Sequence, residues 1–162
     1  MTSENTHRDL CKLATGWLVK QSWCDIACYE LKVGRGFADA IGLSKPRARV
    51  HRITIIECKR TRSDLLQDLR AGKYRKYEQK STHCYLAATA EAYGNKTNSQ
   101  ILVDMKNRGV PDHWGLLRFG PRSEIICIRS TKAHRRTTAT QVRGLVRKVA
   151  RSLCYRAIQG KL

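Results

Sequence analysis

The run Arg52-Ile53-Thr54-Ile55-Ile56-Glu57-Cys58-Lys59 constrains this chain more than any other segment. Its β-branched residues read as a strand. Successive side chains on a strand point to opposite faces, so this run carries apolar groups on both. Such a strand belongs inside a sheet covered on both sides. Yet the run ends in an acid, with a base two residues later. Ionisable groups there are costly unless they pair or hold a metal ion.

The flanking segments supply the covering layers. Leu10, Leu13, Ala14, Trp17 and Leu18 recur at helical spacing and predict a helix from about His7 to Trp23. Two strands are expected around Asp25–Leu31 and Phe37–Leu43, joined by a turn through Gly34 and Gly36, with a basic loop at Ser44–Arg49. After the central strand, Thr61-x-x-Asp64 resembles a capping box and opens a helix that the pattern carries to about Lys80, with Gly72 a weak point. A buried strand follows at His83–Ala88, then a polar loop at Glu91–Asn98 and a short helix at Gln100–Asn107. Trp114–Phe119 and Glu124–Arg129 read as a strand pair. Val142, Leu145, Val146, Val149 and Leu153 mark one face of a final helix, Ala139–Ile158. The order predicts one mixed α/β domain over residues 1–162, a central mixed sheet flanked by helices.

Glu57 and Lys59 share a strand face at the end of the central strand. Asp39 stands on the preceding strand between two alanines, and in a hairpin it falls opposite Glu57. Two carboxylates held together repel, and a divalent cation relieves them. Oxygen ligands from Asp39, Glu57 and the backbone carbonyl of Cys58 favour Mg2+, with Mn2+ as a substitute. Such an ion would acidify a water for attack on a phosphodiester, and Lys59 would orient or deprotonate that water. The competing reading of Glu57 and Lys59 is a solvated ion pair at the strand end. Glu30, Asp64 and Asp68 are accessory acids. For Asp64 and Asp68, four apart on a helix, surface ion pairs with Arg60, Lys73 or Arg75 are the favoured alternative.

Charge narrows the partner. The chain holds 32 Lys and Arg against 13 Asp and Glu, a net charge of +19, which points to a polyanion such as DNA rather than to a membrane surface. From Arg118 to Arg156 there are 11 basic residues and one acid, too lopsided for a merely solvated face. Arg35, Arg60, Lys73, Arg75, Arg129, Lys132, Arg135 and Arg136 are the candidate phosphate contacts. Tyr74 and Tyr77, set among these bases, either stack on unpaired bases or serve as core. Seven scattered cysteines, without a paired metal-binding spacing, read as reduced thiols in an intracellular protein, with Cys58, Cys84 and Cys127 in apolar runs as small core hydrophobes; a zinc site on Cys24 and Cys28 is the lesser alternative. The five histidines show no ligand spacing. No apolar run approaches the ~20 residues of a membrane span, and the N-terminus lacks a signal-peptide core.

Asp39, Glu57 and Lys59 together resemble the motif of the PD-(D/E)XK nuclease superfamily, with Ala38 in place of the proline. Within it, Gly34-Arg35-Gly36-Phe37-Ala38-Asp39, Ile55-Ile56-Glu57-Cys58-Lys59, Asp64, Asp68, Lys73-Tyr74 and Tyr77 are most similar to the small MmcB-like DNA-repair group, with Leu69–Gly72 as an insertion. The resemblance implies a restriction-endonuclease-like fold and a metal-dependent nuclease. A deoxyribonuclease of endonuclease type is slightly favoured, because nothing in the chain looks like a threading or end-anchoring device, and a homodimer is an option because paired cuts need two sites. A non-catalytic DNA- or RNA-binding module on the same fold is the alternative. A sequence-reading endonuclease is the weaker option, because the loops at Ser44–His51 and Glu91–Ser99 are short.

Overall fold

Every residue of β3 (Ile53–Lys59) is buried, its terminal Glu57 and Lys59 included. The computed structural model describes residues 5–21, 24–45 and 51–161; most of the expected basic loop, with Arg47 and Arg49, lies outside them. β3 is an interior strand of a six-stranded mixed sheet whose spatial order follows the sequence: β1 (Ile26–Val33), β2 (Gly36–Leu43), β3, β4 (His83–Thr89), β5 (Gly115–Phe119) and β6 (Ile125–Arg129). β3, β4 and β5 run parallel; the β1–β2, β2–β3 and β5–β6 pairs are antiparallel.

Helices cover both faces, so the α/β fold expected from the sequence is the one observed. α1 (His7–Lys20) packs Leu10, Ala14, Trp17 and Leu18 onto Tyr29, Ala40, Ile56, Cys58 and Tyr85 of one face. Trp17 meets the Tyr85 ring edge-on, centroids 5.3 Å apart. On the other face α2 (Arg62–Ala71) and α3 (Asn98–Asn107) form the parallel crossovers, placing Leu65, Leu69, Ile101 and Met105 over Leu86, Leu116 and Trp114. α4 (Ala139–Ile158) lays Val142 and Val149 beside Cys28, Ile41 and Ile55. Among the described residues, no helix is long and apolar enough to cross a membrane.

Three local departures from the sequence reading have plain causes. α2 stops at Ala71 because Gly72 takes φ +63°, a left-handed helix cap, and the expected continuation to Lys80 becomes a short 3-10 helix at Lys73–Tyr77. Thr61 accepts the Asp64 N–H at 3.2 Å. Strand alternation also fails in the first hairpin. Cys28 and Leu31, three apart, share one cluster, as do Ala38 and Ile41, while Tyr29 and Ala40 join the opposite one. The switch falls on Glu30, at φ +50°, and on Asp39, the one pair the β1–β2 register skips. Finally, Cys127 is exposed rather than a small core hydrophobe.

Candidate active site

The hairpin switch places the first acid. β2 pairs with β3 from Leu43↔Ile53 up to Ala40↔Ile56, and the ladder stops there. Beyond it the Asp39 carboxylate replaces the strand: its Oδ2 accepts the Cys58 N–H at 2.7 Å. Asp39 therefore stands at the mouth of the gap between the two strands, next to the predicted Cys58 carbonyl.

Glu57 and Lys59 leave β3 on the other face, beneath α2. Lys59 Nζ lies 3.2 Å from Glu57 Oε1 and 2.8 Å from Asp68 Oδ2, and all three residues are under 8% exposed. The Asp68 contact is a close ion pair through Oδ2, and Asp68 Oδ1 is buried without a hydrogen-bond partner. Glu57 Oε2 is likewise buried without a protein hydrogen-bond partner. An orphan carboxylate oxygen is expensive to hold out of water. Burial, then repulsion from Asp39, pushes the Glu57 carboxyl up to about 7 against the pull of Lys59 and Lys76. Burial pulls the Lys59 pKa down, but Glu57 and then Asp68 outweigh it and hold the ammonium above the ordinary lysine range. Lys59 is thus held as a buried cation between two carboxylates.

His7, the first residue of α1, is the participant that sequence reasoning missed. Its Nε2 lies 3.3 Å from the Cys58 carbonyl oxygen and 3.6 Å from Asp39 Oδ2, so it touches two of the three expected ligands. Its Nδ1 lies 3.6 Å from Cys11 Sγ. Asp39, then Cys11, raises the His7 pKa well above the ordinary imidazole value. Cys11 is lowered to about 7, chiefly by Cys58, with His7 assisting. His7, Cys11 and Asp39 are the one group of metal-capable side chains close enough to share an ion among the described residues. The only early signal was Thr6-x-x-Asp9, a capping box that starts the helix at His7; the partner 51 residues away leaves no local trace.

The remaining expected site residues divide. Asp68 joins the site as the buried partner of Lys59, not a surface acid. Asp64 is exposed and reaches Lys59 only through its charge. Glu30 sits opposite Asp39 at the register break, and its carbonyl accepts from Arg156 at 3.4 Å. Tyr74 and Tyr77 are 2% and 1% exposed, which removes them as stacking platforms. Tyr74 packs edge-on against Trp114 and donates to the Gly109 carbonyl at 3.3 Å. Tyr77 donates to the Phe37 carbonyl beside the acids, and burial followed by the Glu57 charge raises its pKa. Arg129 is a structural clamp: its guanidinium donates to the Trp114 and Pro111 carbonyls at 2.8 and 3.0 Å. Arg75 donates to the Gly109 carbonyl at 2.9 Å. Arg60 is half-buried at the end of β3; Arg35, Lys73, Lys132, Arg135 and Arg136 are exposed. Cys24 and Cys28 lie in different core clusters, which rules out their shared zinc.

Comparison with known proteins adds the fold and little more. No family model matches the chain, and no curated protein does. Among solved structures it is similar to SPO1766, a protein of unknown function from Silicibacter pomeroyi, with a TM-score of 0.61 at 18% identity, covering 90% of this chain and 86% of that one.

Proposed function

We propose that this protein is a divalent-metal-dependent nuclease that hydrolyses phosphodiester bonds in DNA. The observation that carries this reading is Glu57: a carboxylate buried at the end of an interior strand, one oxygen on Lys59, the other without a partner, and Asp39 close enough to raise its pKa. The unsatisfied oxygen and the like-charge pair fit a hard cation held by Asp39, Glu57 and the Cys58 carbonyl. His7 would add a nitrogen donor only on giving up its proton to the ion, and that ligand set suits Mn2+ at least as well as Mg2+. When bound, such an ion supplies charge on a phosphate oxygen and an acidified water.

The chain's own residues supply the rest. Lys59, kept protonated by Glu57 and Asp68, orients the attacking water or the phosphate by donating to it. Asp68 fixes the ammonium in place. Tyr77, through its bond to Phe37, holds the β2 start against the acid pocket. The net charge of +19 supports a polyanionic substrate, and seven free thiols fit a reducing compartment.

His7 favours one alternative, a non-catalytic nucleic-acid-binding module. A charged imidazole against Asp39 and Cys58 is a built-in counter-ion that would leave the acids vestigial. The two separate in one experiment. Supercoiled, branched and single-stranded DNA are incubated with Mg2+ or Mn2+ and with the wild type, Lys59→Ala or Asp39→Asn. The nuclease reading expects cleavage by the wild type and retained binding without cleavage in both variants. Undiminished cleavage by either variant overturns the mechanism, and no cleavage of any substrate leaves the binding module.

A further inference from the structure

A second basic feature lies beside the acid pocket. A cavity of about 490 Å³ opens between the N-terminal half of α4 and the tip of the β1–β2 hairpin, with Lys80, Arg135 and Lys148 among its lining side chains. A second, about 480 Å³, shares Val33, Gly34 and Lys80 with it and adds Arg35, Lys76 and Tyr77. The shared lining makes the two one continuous groove, and among the described residues no carboxylate lines either part. Its far end reaches the site: Tyr77 lines it and donates to the Phe37 carbonyl, two residues before Asp39.

Gly144 offers an independent observation. It sits inside α4, where glycine costs about 0.5–1 kcal/mol relative to alanine. A Cβ there meets nothing within 4 Å, so packing does not require the glycine. Gly144 lines the groove; its missing side chain leaves room for an occupant.

We propose that this groove seats the sugar-phosphate backbone of one DNA strand and leads it to the acid pocket. Five cations along a concave path, without an acid among the described lining residues, match the electrostatic track used for single strands. A duplex, broader than its own ~12 Å major groove, rides over cavities of this size instead of entering them. The proposal rests on the nuclease reading for its direction, but its binding claim does not need cleavage.

The test therefore measures binding in EDTA. Fluorescence anisotropy with a labelled single-stranded oligonucleotide is compared with the matching duplex, for the wild type, Gly144→Ala, Gly144→Glu, Lys80→Ala and Lys148→Ala. Gly144→Glu is expected to weaken single-strand binding by at least about tenfold while circular dichroism and Tm stay at or above wild type, since the site has open space and glycine is the poorer helix former. Gly144→Ala, which adds one methyl to the groove, is expected to weaken binding as well, but by less than Gly144→Glu does. Each lysine variant is expected to flatten the slope of log K against log salt by ~0.7. Wild-type binding by Gly144→Glu overturns the groove, as does duplex binding tighter than single-strand binding. Poly-glutamate competing as well as the oligonucleotide also overturns it, because the surface is then one for any polyanion. If the variants lose binding but the wild type cleaves nothing in Mg2+ or Mn2+, the groove stands and the nuclease reading falls; if the wild type cleaves and the groove variants bind and cleave normally, only the groove falls.

Discussion

The Asp39 carboxylate completes the β2–β3 ladder from its side chain, accepting the Cys58 N–H at 2.7 Å where backbone pairing has already stopped. One oxygen thus has a structural task, and the same group faces His7 and raises Glu57. The two duties separate by substitution. Asp39→Asn keeps an acceptor for Cys58 and is expected to fold with near wild-type stability. Asp39→Ala leaves a backbone donor unpaired and is expected to lose about 1–3 kcal/mol in urea unfolding. Both variants lose divalent-ion affinity in calorimetric titration. An alanine variant as stable as the asparagine variant would show that the bond carries no weight.

Asp68 is the second point of leverage. Lys59 has two buried carboxylate partners, and removing one partner of a buried pair typically costs about 3–5 kcal/mol. Asp68→Ala is expected to fall in that range, and Asp68→Asn to recover part of it. A loss below about 1 kcal/mol in chemical denaturation would place Asp68 on a wet surface instead.

Glu57 gives a pH dependence of definite sign. Its folded-state pKa is about 7 against an ordinary 4.5, so the folded protein keeps a proton that the unfolded chain has released. Stability from this group is fully present below pH 4.5 and is lost as pH rises through about 7. Glu57→Gln removes that titration. The variant's Tm advantage over the wild type, measured without divalent ions, should grow from pH 5 to pH 8, reflecting a gain on the order of 3 kcal/mol. A difference that stays flat across this interval would mean that Glu57 ionises normally.

Much of this arrangement was legible because it is local. The apolar run Ile53–Ile56 announced an interior strand, and Glu57 and Lys59 share a face by the strand's period of two. The α4 stripe from Val142 to Leu153 appeared at the boundaries expected. What stayed hidden depends on distant chain. Asp68 looked like a surface acid because four-residue spacing says which residues share a helix face, not which face meets the sheet. His7 reaches Cys58 across 51 residues. The reversal of alternation at Glu30 and Asp39 needs a positive φ at a non-glycine residue, which composition does not reveal. Gly72 shows the opposite case, a helix stop visible in the sequence but read as a tolerated weak point.

Tyr74 separates binding from stability. Basic neighbours suggested a stacking platform, but the ring is buried against Trp114 with centroids 5.0 Å apart, and Arg75 packs over it from outside. Truncating a buried aromatic typically costs about 3–5 kcal/mol, so Tyr74→Ala should show a loss of that size. Tyr74→Phe removes only the hydroxyl that donates to Gly109 at 3.3 Å and also lies 3.2 Å from Arg75 Nε. That change should cost about 1 kcal/mol. Neither substitution removes a cation from the surface. Below their unfolding temperatures, both should therefore bind single-stranded DNA within about twofold of wild type, with an unchanged salt slope. Anisotropy titrations at two salt concentrations, run with thermal melts of the same samples, make the comparison. Binding that weakens in Tyr74→Phe while the melt stays put would return this tyrosine to the nucleic-acid surface.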